Sequence, residues 1–169
     1  LVPYYYCPTK KNLEREGLSI GKNAYQLLYF GQYEQGLNLA KLAVKVNKTD
    51  EKLWLILSEA QVANKLYKNA LISLNKAQKI NANISEIYFA KSNIYLKISQ
   101  LQNAKTALET GLRIEPNNHN AIFQLGNILL MEKNYSEAIE VFDKSLKIKP
   151  DFWQAINNKG LAYFEKDYI

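Results

Sequence analysis

The sequence predicts an all-α chain, a solenoid of stacked antiparallel helix pairs, and three observations carry that expectation. Pro116 and Pro150 stand 34 residues apart, and stepping by that interval from His119 finds equivalent starts at Gly17, Glu51, Ser85 and Trp153 without any insertion. Small residues recur in this frame: Ala24, Ser58, Ser92, Gly126 and Gly160 at the eighth place, Gly36, Ala70, Ala104 and Ala138 at the twentieth, Ala43, Ala77, Gly111 and Ser145 at the twenty-seventh. Large residues accompany them, with Ile20, Trp54, Tyr88, Ile122 and Ile156 at the fourth place and Val46, Ile80, Ile114 and Ile148 at the thirtieth. Large knobs beside small holes are what paired helices need in order to pack ridge into groove. No stretch reads as a strand, and no apolar run approaches the ~18 residues of a membrane span.

Taken in order, residues 1–16 (LVPYYYCPTKKNLERE) fall outside the frame. Two prolines, the Tyr4-Tyr5-Tyr6 cluster and Lys10-Lys11 predict an irregular lead-in, read as a cap over the exposed end of the first repeat. Helices are then expected near 18–30, 34–46, 53–63, 68–79, 86–98, 102–113, 121–131 and 136–148, with Tyr33, Tyr67, Leu101 and Tyr135 opening the second helix of each pair. Thr49-Asp50, Asn117-Asn118 and Asp151 are suited to capping the helix that follows. A ninth helix begins near Phe152 and runs into Tyr163. Trp153, Ile156, Leu161, Tyr163, Phe164 and Tyr168 make it apolar for the end of an array, where a polar outer face is the norm. The expectation is that the natural chain continues or that another chain covers this end, which admits a homo-oligomer through residues 153–169.

The bulk numbers exclude several chemistries. With 169 residues and 47% apolar content the chain can bury a continuous seam, counted as one domain. A single Cys7 permits no internal disulfide and no cysteine-based metal site, and neither it nor the first residues assign a compartment. The net charge of +6 raises the question of nucleic acid. Its distribution argues against it, because Lys45, Lys79, Arg113 and Lys147 share one repeat position in the last turn of a helix, where a cation complements the dipole. No enzyme reading assembles. His119 is the only histidine, no glycine-rich phosphate loop is present, and acids such as Glu132 and Glu137 read as solvated. No catalytic residue, metal or cofactor is expected.

The stretch from Asn117 to Pro150, NNHNAIFQLGNILLMEKNYSEAIEVFDKSLKIKP, resembles the tetratricopeptide repeat (TPR) family through Leu125, Gly126, Tyr135, Ala138, Phe142 and Pro150. The resemblance extends over residues 17–169 as four full repeats and the first helix of a fifth. The repeat from Gly17 is the most divergent, with Gly36 and Ala40 at core places and Thr49 near its end in place of a closing proline. What the family implies is a right-handed superhelix whose first helices line a concave side through residues two, five, six, nine, twelve and thirteen of each repeat. Here those are Lys52, Leu55, Ile56, Glu59 and Val62, then Glu86, Phe89, Asn93 and Lys97, then Asn120, Phe123, Gln124, Asn127 and Leu130, and finally Gln154, Asn157, Asn158 and Phe164.

Within that set the amides Asn93, Gln124, Asn127, Asn157 and Asn158, beside Phe89 and Phe123, form the candidate peptide-binding face. A primary amide offers both donors and an acceptor, so it can pair with both groups of an extended backbone. The rings would hold apolar side chains. Family members that grip a C-terminal carboxylate use two Lys, one Arg and two Asn over three repeats. Asn127 and Asn158 match two of those places, but Phe123 stands where a lysine is required, so a full carboxylate clamp is not expected. The resemblance thus implies a non-enzymatic scaffold that binds a partner protein or peptide, with no small-molecule substrate. Three rivals stand beside it: an assembly or maturation factor for a larger complex, membrane-associated if sequence outside this stretch anchors it, RNA binding, and self-association through the apolar last helix. Lys91 and Lys159, at a place usually held by buried leucine, imply either a buried stem with the ammonium reaching an edge or local departure from the family's packing.

Overall fold

In the computed structural model, which describes residues 9–167, every regular element among the described residues is a helix. The chain divides into two compact units, Leu1–Asn83 and Ile84–Ile169, where a single domain is expected from the sequence. The division falls between the second and third repeats. In a linear array each repeat packs only on its neighbours, so two repeats already carry a core of their own.

Unit 1 holds α1 (Lys10–Tyr29), α2 (Tyr33–Val46), α3 (Glu51–Ala63) and α4 (Tyr67–Ile80). The lead-in expected to be irregular through Glu16 is instead helical from Lys10, with the Thr9 hydroxyl accepting from the Asn12 N–H as the cap. The reason lies in Leu13, Gly17, Gly21, Ala24 and Leu28. Their three- and four-residue spacing continues an inward stripe past the start of the 34-residue frame. Tyr4-Tyr5-Tyr6, Cys7 and Tyr168 lie outside the described residues. Leu53 of α3 fills the space beside Gly21 of α1, while Leu28 stands 2.7 Å from where a Cβ on Gly36 would be, so α1, α2 and α3 meet nearly backbone to side chain.

Unit 2 holds α5 (Ser85–Lys97), α6 (Leu101–Ile114), α7 (His119–Met131), α8 (Tyr135–Ile148) and α9 (Trp153–Asp167). Its core comprises Ala104, Leu108, Ala121 and Ile128 in one cluster and Ile122, Leu129, Ala138, Val141, Phe142, Phe152 and Ala155 in another. Of the thirteen small places read from the sequence, twelve are buried; Gly160 on α9 is exposed, with nothing within 4 Å of a would-be Cβ among the described residues. Trp153 is 64% exposed and Phe164 55%, so α9 shows apolar side chains outward. The Ser92 hydroxyl is buried without a hydrogen-bond partner among the described residues.

Caps and turns follow the chemistry of the residues. Asp50 accepts from the Lys52 N–H at 2.8 Å and Asn118 from the Ala121 N–H at 3.0 Å. Asp151 does not cap α9: Phe152 intervenes, and its carbonyl takes the N–H groups of Ala155 and Ile156. Lys45, Lys79, Arg113 and Lys147 occupy the last turns of α2, α4, α6 and α8, as their placement against the dipole requires. Between the helices of each pair one residue is left-handed, and it recurs at the same place: Gly31 (φ 76°), Lys65 (60°), Ser99 (59°) and Lys133 (58°). The N–H of the next residue then reaches five residues back, as from Gln32 to the Leu27 carbonyl at 2.8 Å and from Asn134 to Leu129 at 2.9 Å, closing a Schellman turn.

Candidate functional site

All seven candidate residues belong to unit 2, on the first helix of each pair: Phe89 and Asn93 on α5, Phe123, Gln124 and Asn127 on α7, Asn157 and Asn158 on α9. Asn127 and Asn158 are brought together. The Asn158 Nδ2 donates to the Asn127 Oδ1 at 2.6 Å, joining α7 to α9. This exchange uses one acceptor and one donor, leaving the Asn127 amide N–H group and the Asn158 carbonyl oxygen for a ligand. Asn93 and Asn157 are exposed and Gln124 half-buried, and none of the three hydrogen-bonds to another described residue.

The two rings, expected to hold apolar side chains of a ligand, each also pack on a neighbouring helix. Phe89 is turned onto α6, its Cδ1 standing 2.7 Å from where a Gly111 Cβ would be. Phe123 packs at 5.8 Å between centroids from Phe142 and 4.9 Å from Phe152. Both remain half-buried. The glycines at these helix crossings make room for aromatic rings as much as for backbones, a use that their small size alone did not reveal.

Two lysines of unit 2, Lys159 and Lys105, are held by carboxylates. Lys159 of α9 reaches Asp143 of α8 at 2.5 Å, and hydrogen bonding to that carboxylate raises the lysine's pKa. Its stem is partly covered and its ammonium reaches an edge, the first of the two arrangements considered for a lysine at this place. Lys91 is buried on α5 with its ammonium 6.0 Å over the Tyr88 ring, and burial lowers its pKa. At the far end of α7, Glu132 accepts from Lys105 at 2.8 Å and from Gln102 at 2.6 Å, and the hydrogen bond to Glu132 raises the Lys105 pKa. His119 opens α7 with its ring edge-on to Phe152 at 5.2 Å, a packing role. No group of three His, Cys, Asp or Glu able to hold a metal occurs among the described residues, and no helix there is long and apolar enough to cross a membrane.

Residues 119–152 match the family model of the tetratricopeptide repeat, and residues 85–118 match a second model of the same repeat. Residues 85–152 are TPR repeats. No curated protein matches its sequence. Solved structures similar to this TPR chain include the MamA protein, 23% identical over 92% of this chain and 83% of that one at a TM-score of 0.80. TTC0263, a thermophilic TPR protein of Thermus thermophilus, is 19% identical over 88% and 81%, at 0.74. YrrB, described as a TPR protein with an unusual peptide-binding site, is 21% identical over 88% and 76%, at 0.72. At such identities the likeness is one of fold, and it places this TPR chain among helical solenoids.

Beyond the amide face, α1 to α3 bring together a group of residues that the sequence did not single out as a set. Tyr25, Tyr29 and Tyr33 share a cavity with Glu59. The four-residue spacing of the tyrosines was a visible signal. Their partner carboxylate, Glu59, stands 34 residues after Tyr25, at the same place of the next repeat, and was among the concave residues that the resemblance implies.

Proposed function

We propose that this TPR chain is a non-enzymatic scaffold that binds an extended peptide of a partner protein across α5, α7 and α9. The TPR fold supports a protein–protein interaction role. The observation that carries the finer reading is the Asn127–Asn158 pair, whose unspent donor and acceptor match the two groups of one peptide unit. Close packing of α7 on α8 at Gly126 fixes the helix that carries Asn127 before a ligand arrives, which lowers the ordering cost of binding. Gln124, Asn93 and Asn157 extend the same chemistry along the surface.

The test is a selection of short peptides from a displayed library, followed by calorimetry with Asn127→Ala/Asn158→Ala. Two lost backbone hydrogen bonds at ~0.5–1.5 kcal/mol each should weaken binding by about tenfold to a hundredfold. Removing both members of the pair leaves no orphaned partner, so the melting temperature should scarcely move. Equal affinity in the double variant would defeat the proposal. Phe123→Ala is the poorer probe, because that ring also supports Phe142 and Phe152.

A further inference from the structure

Unit 1 contains a cavity of different chemistry, with a volume of about 150 Å³. It is lined by Tyr25, Leu28 and Tyr29 of α1, Tyr33 of α2, and Glu59 and Ala63 of α3. Tyr25 and Tyr29 stand one helical turn apart on the same face, and the left-handed Gly31 swings the chain round so that Tyr33 supplies a third ring. Leu28, only 8% exposed, closes the apolar side, while Tyr25 and Tyr33 each keep about half of their surface open and Tyr29 keeps 80%.

Glu59 is the one charged group in the lining. The chain has 22 Lys and Arg, yet Glu59 forms no ion pair and no hydrogen bond with any described residue. The residue is exposed, yet partial burial of its carboxyl raises its pKa.

We infer that the Tyr25, Tyr29, Tyr33 and Glu59 cavity is a receptor for one cationic head: the ammonium or guanidinium of a basic side chain, or a free quaternary ammonium. Aromatic rings present negative π-faces to a cation, and the carboxylate adds a full opposing charge. An anion is repelled by Glu59, and a neutral apolar group would leave that carboxylate desolvated with no partner. A volume of this size admits such a head with its adjoining methylenes and excludes a folded segment. The site lies on residues separate from the amide face and stands whether or not peptides bind there.

The experiment is a nuclear magnetic resonance titration of the whole chain with three probes: tetramethylammonium chloride, N-acetyl-lysine amide and N-acetyl-arginine amide, against sodium chloride at matched ionic strength. Saturable shifts of the Tyr25, Tyr29 and Tyr33 ring signals and of the Glu59 side chain are expected. Tighter binding of the amino-acid amides identifies a basic polypeptide as the source of the cation; tighter binding of tetramethylammonium identifies a free amine. Glu59→Gln and Tyr29→Ala should each weaken the preferred probe by about tenfold, whereas Tyr29→Phe should retain it, since the ring face and not the hydroxyl makes the contact. Both positions are exposed, so these variants keep their circular dichroism spectrum. Absence of saturable shifts with all three probes, or undiminished binding in Glu59→Gln, would overturn the assignment.

Discussion

Phe142→Ala should destabilise the protein by about 3–5 kcal/mol, which for a chain of this size lowers the melting temperature by roughly 6–20 °C in a circular dichroism melt. The ring is fully buried on α8 and occupies the space above Gly126 of α7, with its Cδ1 and Cζ 2.8 Å from where a Cβ would stand. It also meets Phe123, and Ile122, Leu129 and Phe152 belong to the same cluster. Truncation leaves a void bounded on one side by a glycine, which has no side chain with which to fill it. Neighbours can collapse only by moving backbone, so the value should fall at the upper end of the range. A loss below about 1 kcal/mol would show that the ring is not seated between these helices.

Ala138→Leu is expected to cost about 1–3 kcal/mol through the opposite fault, too much volume where helices of a pair approach closely. Ala138 is completely buried on α8, and the same place holds Gly36, Ala70 and Ala104 in the other repeats. Three added carbons must push Phe142 off its glycine or spread the helices. Urea unfolding measures the effect, and the slope with urea should stay the same, because the surface exposed on unfolding hardly changes. A stability equal to that of the parent chain would mean that this contact is loose.

These two residues also show how much of the molecule was legible beforehand. The 34-residue period and the small places at Ala138, Gly126 and Gly111 determined the number, order and partners of the helices, because packing distance is a property that residue size reports directly. The first helix was cut short for the same reason in reverse: repeat spacing ends at Gly17, while the helical stripe from Leu13 does not. The candidate surface was only partly readable. Spacing put Asn127 and Asn158 on one side of neighbouring helices, and they meet at 2.6 Å. The same spacing could not say whether Phe89 and Phe123 turn outward or onto a glycine, since a half-buried ring satisfies the pattern either way. For the cluster around Glu59, repeat spacing put Tyr25 and Glu59 at one place of successive first helices, but it did not show that the turn at Gly31 adds Tyr33 to them.

The bends between paired helices carry a last consequence. Lysine and serine at positions 65, 99 and 133 adopt a conformation that costs an L-residue roughly 1–2 kcal/mol, and only position 31 has the residue that adopts it freely. Lys65→Gly, Ser99→Gly and Lys133→Gly should each gain about 0.5–1 kcal/mol once the added freedom of the unfolded chain is subtracted, seen as stepwise increases in the urea midpoint. All three side chains point to solvent. The protein therefore holds unused robustness in its turns, and a hardened version could be built by changing residues that belong to none of the helix cores.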